Sequence, residues 1–595
     1  MLQRILLRMW GGIARPFHLD LRSLALFRGC LAGLVLIDLA NRGFWLRAHY
    51  TDFGVLPRAA LLETRWDPAW VSAHMLSGAA ELQVLLFVLA GIVAVLLLVG
   101  WRTRLMTILS WFLLVSVQAR NPVVLQGGDV VLRLLLFWGM FLPLGARWSV
   151  DAALGQSTDS ESASGHFSVA SFAYIIQLCS IYYFSALLKK GGAWLESYDA
   201  VYYALALDQF TTPFGDWLFQ QPVFHAPLTI GTLGLEAFGW MLVLLPVFTT
   251  PLRLVAIVLF CGMHLGMAAT MQLGLFSYIM CVAWLALLPG VVWEWLRQRV
   301  SATEEECRLE APPGFSKKAA DLAKTFLVLP ALTVATDAER HTWYLEDGEQ
   351  KHHGWSAWTA LLARSPLFWL LSPLVANRIA RNTARWVGRK AGRLSTLLNW
   401  CLSRRLLRSD LSVPHSVLAA GALISVLAWN IDTVTDDWSV PEPWRTVTTS
   451  VRLDQKWGMF APFPLIHDGW YVIPGTLKNG DTVNLFFGGP PSLDPADKPK
   501  DVSNLYPNQR WRKYLMNLRR SEYSRQQPYF SQWLCRRWNT RHSGGERLTS
   551  IDIYFMRETT PPPGEESDVE KVHHLDHQCA GSRIRAVDGE KGWTR

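Results

Sequence analysis

Two adjacent lysines, Lys189 and Lys190, close an apolar run that begins at Phe172 and gives way to Gly191, Gly192 and Trp194. A run of about 20 residues crosses a bilayer as helix, so the pair falls where hydrocarbon meets the interface. A lysine there either snorkels toward lipid headgroups or, partly stripped of water, sheds its proton more readily and serves as a base. Neighbouring helix positions lie about 100° apart, so only one of the two can face a given cavity. Lys189 is expected there and Lys190 is expected to snorkel. Asp38, Asp129, Arg133, Glu236, His264 and Gln272 also lie within or at the ends of apolar runs, where ionisable groups are costly unless they face a bundle interior. Glu236 and His264 are candidate catalytic partners of the lysines. Asp129, at the site mouth, joins Asp38, Gln272 and Arg133 as candidate cofactor contacts, and Arg133 is expected to pair with one of the carboxylates. Plainer roles stay open, with His264 as a hydrogen-bonded core residue and Glu236 and Asp38 as helix bridges.

Positioning these residues requires a membrane bundle. The 595 residues are 51% hydrophobic and only 18% charged, too apolar for an ordinary soluble enzyme. Apolar runs near 23–41, 82–100, 104–119, 129–145, 168–188, 227–249, 252–272, 274–297 and 412–431 predict a membrane all-α fold, a polytopic bundle of about nine transmembrane helices. Tryptophans such as Trp45, Trp101, Trp148 and Trp438 sit near their ends, as interfacial indoles do. The net charge of +9 resides largely in loops, so membrane topology accounts for it and nucleic acid is not an expected partner. Arg102, Arg104, Arg147, Arg253 and the arginines of 298–411 place the N-terminus and that segment in the cytoplasm and 440–595 outside.

Five segments follow. Residues 1–297 form the transmembrane domain, 298–411 a basic cytoplasmic linker, 412–439 the last transmembrane helix, 440–560 an extramembrane α+β domain and 561–595 a Pro-, Gly- and charge-rich flexible tail. Within the α+β domain, Gly469–Ile473 and Val483–Phe487 are expected to form a hairpin around Asn479-Gly480. Residues 508–538 read as helix, with a solvated or headgroup-contacting row including Arg510 and Arg512, and 548–556 as strand. The eight cysteines form no C-x-x-C or Cys/His cluster, so no structural metal is expected. Cys535 and Cys579 are free to pair in an oxidising compartment.

Residues 20–290 resemble the HTTM family, the membrane domain shared with vitamin K-dependent gamma-carboxylases. The resemblance rests on Tyr50-Thr51-Asp52-Phe53-Gly54-Val55-Leu56-Pro57-Arg58, Phe141-Leu142-Pro143-Leu144-Gly145, Tyr183-Phe184-Ser185-Ala186-Leu187-Leu188-Lys189, and His264 with Leu273-Gly274-Leu275-Phe276-Ser277-Tyr278. Trp457-Gly458-Met459-Phe460-Ala461-Pro462 and Asp468-Gly469-Trp470-Tyr471-Val472 resemble the tail of bacterial HTTM proteins. The resemblance implies a bacterial inner-membrane location and a reduced, vitamin K-like quinone as cofactor. In those enzymes a lysine at the position of Lys189 or Lys190 deprotonates the hydroquinone, and a glutamate of a protein or peptide substrate is then carboxylated. Where they carry an Asn-His motif, this chain reads Asn121-Pro122, so the resemblance brings the scaffold and the lysine without that histidine. A non-catalytic HTTM protein that binds lipid or quinone, or serves as an interaction platform, is the alternative. Residues 341–395, with Trp343-Tyr344-Leu345-Glu346-Asp347-Gly348, resemble the latter half of the thioredoxin-like DCC family without its cysteine pair, which implies a degenerate, redox-inactive remnant.

Overall fold

Stretches that are apolar over 20–23 residues become six helices able to cross a bilayer, Leu21–Gly43 (α1), Ala80–Val99 (α2), Val169–Leu188 (α5), Pro222–Leu244 (containing α6, His225–Phe238), Thr249–Thr270 (α7) and Val413–Asp432 (α12). A seventh, Phe276–Leu285 (α8) followed by Gly290–Val300 (α9), bends by 89° at its break. This computed structural model describes residues 14–155, 165–300, 307–377 apart from 312–314, 328–331, 337–341, 348–349 and 366–370, then 382, 413–565 and 567–579.

Two of the nine expected spans, 104–119 and 129–145, are not among these helices. Thr103–Arg120 (α3) carries Ser110, Ser116, Gln118 and Arg120 on its buried side, and Gly127–Gly139 (α4), about 20 Å long at 1.5 Å per residue, is buried except at Gly127 and Val130. Because protein rather than lipid surrounds α4, it need not match the bilayer in length or polarity. Gly128 permits this burial, since a Cβ there would lie 3.2 Å from the Phe276 Cα.

Side-chain bonds sort the loops onto two faces. On the N-terminal face Arg28 donates to the carbonyls of Leu144 and Trp148, Asp151 accepts from the amides of Arg102 and Thr103, and Arg22 pairs with Glu294. On the opposite face the Gly191 amide donates to the Pro462 carbonyl, Gln272 donates to Ser503, and Lys189 lies at the end of α5.

The expected linker contains a folded unit on the N-terminal face. Cys307–Ala311 (β1), Phe315–Phe326 (α10), Leu332–Thr336 (β2), Tyr344–Asp347 (β3), Gln350–His353 (β4) and Trp355–Arg364 (α11) build a sheet of order β2-β1-β3-β4. β1 and β2 are parallel, while β3 pairs antiparallel with both β1 and β4. Leu309, Leu332, Leu345 and Leu361 fill it, and α10 packs on the short helix Val150–Leu154. Two parallel strands need a crossover, which α10 supplies. The arginine run 378–408 expected to mark the cytoplasmic side lies outside the described residues.

On the opposite face a five-stranded sheet comprises His467–Val472 (β5), Pro474–Leu477 (β6), Thr482–Asn484 (β7), Leu548–Thr559 (β8) and Asp568–Gln578 (β9). β6 and β7 form the hairpin around Asn479-Gly480, whereas β5 pairs with the second half of β8. The expected first strand, 469–473, therefore falls in β5 as far as Val472 and pairs with β8 instead, and the hairpin's first strand begins after it, at Pro474. The expected helix 508–538 is two, Gln509–Leu518 (α13) and Gln527–Asn539 (α14), with Pro528 at the start of the second. The flexible tail expected from Pro561 is corrected as well. β9 pairs along β8, so alternation within 568–578 outweighed the Pro/Gly-rich composition before it, and 580–595 lie outside the described residues. This domain shares its core with the membrane domain, as Val55, Leu61, Val123 and Val124 pack with Trp470, Trp511, Leu515 and Phe530.

A disulfide joins Cys535 on α14 to Cys579 beyond β9. Replacing Cys535 with serine removes a crosslink spanning 44 residues, and a loss of about 2–4 kcal/mol in denaturant unfolding is expected. Dithiothreitol should shift the wild-type curve equally and leave the variant's unmoved.

Candidate active site at the Lys189–Glu236 pair

The site begins with how α5 is held. Ser168 caps its N-terminus by accepting from the Ser171 amide, and Tyr174 donates to the Ala283 carbonyl at 2.8 Å, fixing its rotation against α8. Tyr182, Ser185 and Lys189, spaced i, i+3 and i+7, consequently share one face. The lysine Nζ donates to Ser185 Oγ and to Glu236 Oε2 on α6, each at 2.6 Å, with the Ser185 carbonyl at 3.4 Å. Lys189 is 4% exposed and Glu236 7%, whereas Lys190 is exposed.

The Trp457–Pro462 motif covers this end of the helix. Trp194 lies with its ring 5.1 Å from the Lys189 ammonium and donates through Nε1 to the Phe460 carbonyl at 2.9 Å. Gly191 takes the Pro462 carbonyl so closely that a Cβ would stand 2.7 Å from it. The segment 457–462 thus lies against Gly191 and Trp194 at the lysine's end of the helix. An ammonium carries three protons, and all three have acceptors here. The ion pair as a unit can take up one further proton, whichever of its atoms receives it.

His264 lies in a different layer. Tyr182, about two helical turns along α5 from Lys189, meets His264 Nε2 at 2.9 Å and accepts from Trp284 Nε1 at 2.8 Å. Indole only donates, so the tyrosine oxygen accepts from Trp284, and in the tautomer in which its own proton goes to Nε2 the ring proton resides on Nδ1. Among the described residues Nδ1 is buried without a partner. It is the group an oxygen-bearing ligand would satisfy, and the one feature here that fits a quinone or hydroquinone oxygen.

The other candidate cofactor residues lie elsewhere. Arg42 donates to Asp38 at 2.7 Å, to Tyr50 at 2.8 Å and to Asp129, while Arg510 of α13 donates to both Asp129 oxygens at 2.8 Å and to Asp38 at 2.5 Å. All four carboxylate oxygens are taken, so Asp38 and Asp129 hold the C-terminal domain to the bundle. Burial by itself would lower the Arg510 pKa, but the two carboxylates outweigh it and raise it. Arg133 does not meet either of them. It reaches Asp454 at 2.9 Å and the Arg452 carbonyl, because those residues return to the bundle after α12. Gln272 donates to Ser503, and its carbonyl accepts from Arg512. The expected solvated row is corrected at Arg510 and Arg512, both buried between the domains. His49, its ring tilted at 4.4 Å from that of Trp511, has both ring nitrogens without a partner among the described residues; burial, then Arg510 and Arg42, push its pKa to about 3 and keep it neutral.

Tyr182, Ser185, Trp284 and Arg42 were not singled out from the sequence, and Arg510 was read there only as one of a basic row. The i+3/i+7 spacing on α5 and the i,i+4 pair Asp38–Arg42 carried a signal for three of them; Trp284 and Arg510 join only through tertiary contacts.

Asp468 is a separate titrating point where β5 meets the membrane domain. It accepts from the Gln209 amide at 3.1 Å, and burial raises its pKa to about 7 despite that bond. Between the unfolded carboxyl's pKa of about 3.9 and about 7 the folded state binds more protons, so this residue's contribution to stability falls as pH rises through that window. Asp468→Asn is therefore expected to be more stable than wild type by about 1–3 kcal/mol at pH 8 and to converge with it near pH 4, read from unfolding curves across pH.

Six apolar helices of spanning length around a buried polar site define an integral membrane protein. The family model described as HTTM domain matches residues 18–293, the whole span from α1 into α9, and does not extend over the β1–α11 unit or the C-terminal domain. No curated protein and no solved structure matches the chain.

Proposed function

We propose that this HTTM-type membrane protein performs proton transfer on a reduced, vitamin K-like quinone at the Lys189–Glu236 pair, in the manner of a quinol-dependent carboxylase or epoxidase acting on a protein or peptide. The observation that carries the reading is the lysine itself, buried at a membrane helix end and bonded to Glu236 and Ser185, with Trp194 and 457–462 at its end of the helix. Glu236 accepts a proton from Lys189 across 2.6 Å, which leaves a neutral amine able to take the next one. Ser185 fixes the amine's direction, Trp194 excludes water, and the Nδ1–H of His264 donates to a ring oxygen placed deeper in the bundle. When bound, the quinol would supply the electrons, and dioxygen as the oxidant that accepts them would supply the oxygen of the strong base; the residues above only orient the quinol and move its proton.

The disulfide supports placing the C-terminal domain on an oxidising side, hence outside a bacterial inner membrane with the N-terminal face in the cytoplasm. The test is the protein in detergent with added reduced naphthoquinone and a glutamate-containing peptide, followed for labelled carbon dioxide incorporation and quinone oxidation. Loss of both in Lys189→Ala supports the reading. Quinone that neither binds nor turns over with wild type defeats it in favour of a non-catalytic platform.

A further inference from the structure

The N-terminal face holds a polar cavity, far along the chain's helices from the lysine. It has a volume of about 260 Å³ and is lined by Arg15, His18, Asp20, Thr249, Thr250 and Arg253 among others. Its charge is lopsided. The single carboxylate, Asp20, is already held by Arg22 through Nε at 3.0 Å and Nη2 at 2.8 Å. Arg253 is 5% exposed, bonds only to the carbonyls of Pro16 and His18, and leaves its Nε unpartnered. Neither it nor the exposed Arg15 makes an ion pair among the described residues. A buried guanidinium with no counter-charge is costly, and an anion would offset that cost.

The third contribution comes from the backbone. Thr249 and Thr250 are the first two residues of α7, a 22-residue helix, so their amides are among the donors left without an intrahelical acceptor and lie at the positive end of the helix dipole. Amides, threonine hydroxyls and two guanidinium groups around one cavity are the elements of a phosphate cradle.

We propose that this cavity binds a phosphate group, and that of a phospholipid headgroup in preference to the free ion. The preference rests on the rim. Val247 and Phe248, immediately before Thr249, are 58% and 79% exposed, and Val255 and Val258 continue the apolar surface down α7 at 47% and 68%. An acyl chain has a path from the cavity mouth along that surface, which inorganic phosphate would not use.

The experiment is thermal unfolding of the full-length protein in neutral detergent, titrated separately with short-chain phosphatidylglycerol, inorganic phosphate and sodium chloride of equal ionic strength. Saturable stabilisation by the lipid is expected at concentrations about tenfold or more below those needed for phosphate, with none from chloride. Arg15→Glu, an exposed position whose change leaves the fold intact, should raise the half-saturating lipid concentration about tenfold or more. Arg253→Lys should weaken it too, because lysine lacks the fork that holds two carbonyls and a phosphate together. Native mass spectrometry supplies a second readout, with a phospholipid retained on wild type and lost from Arg15→Glu. Equal potency of phosphate and lipid keeps the phosphate site and overturns the lipid preference. Stabilisation identical in wild type and both variants, or no saturable effect from either phosphate source, overturns the proposal.

Discussion

Arg510→Ala is expected to destabilise the protein by about 3–5 kcal/mol and to loosen the C-terminal domain from the bundle, because it strands two buried carboxylates on one arginine. Asp38, Arg42, Asp129 and Arg510 form a neutral set of two anions and two cations, each less than one-tenth exposed. Removing Arg510 leaves a net negative charge where water does not reach, and Asp38 Oδ1 loses its donor. Arg510→Lys should recover only part of the loss, since a single ammonium cannot reproduce the contacts that one guanidinium makes to Asp38, both oxygens of Asp129 and the Val124 carbonyl. Combining Arg510→Met with Asp129→Asn restores neutrality, leaves the Asp38–Arg42 pair in place, and should be more stable than Arg510→Ala by 1 kcal/mol or so. Denaturant unfolding followed by tryptophan fluorescence is a suitable readout because Trp511 sits beside Arg510 in the shared core. Limited proteolysis would show release of the domain as a separate fragment. Unchanged stability of Arg510→Ala would mean that water enters the network and screens it.

Lys189→Ala should lower the turnover proposed for this site by about 10²-fold or more, the usual scale for removing a positioned base. It should also destabilise the fold by about 3 kcal/mol, because Glu236 is left buried without its cation. The second effect would follow from a purely structural ion pair as well, so the double variant Lys189→Ala, Glu236→Ala decides between the two. Neutral alanines remove the stranded charge and should return much of the stability while activity stays lost. Recovery of activity together with stability would assign the pair a structural role alone. Lys190→Arg should lie within about 0.5 kcal/mol of wild type and keep full activity, since that side chain is exposed and an arginine snorkels as well as a lysine.

Local rules carried much of this architecture. Runs of apolar residues are enough to mark spanning helices, because only internally bonded backbone survives in hydrocarbon. The helical spacing of about 100° made it possible to expect that Lys189 and Lys190 would differ, and Lys189 is buried while Lys190 is exposed. The Asn479-Gly480 turn was legible because its backbone demands those residues. What remained hidden depended on partners distant in the chain. Helix α4 has a spanning-like run yet is enclosed by protein, and no local feature of Val131 or Leu134 says whether lipid or protein will be the neighbour. Arg510 reads as one of a basic row until α13 docks and brings it 2.8 Å from Asp129, 381 positions earlier. Asp38 and Asp129 read as ligands for the same reason, since a buried carboxylate announces that it needs a cation without saying which. The short-range pattern of the chain determined which segments could enter the membrane and which residues would need partners there. Tertiary packing alone decided the partners, because burial makes an unpaired charge so costly that the fold settles only where each one is met.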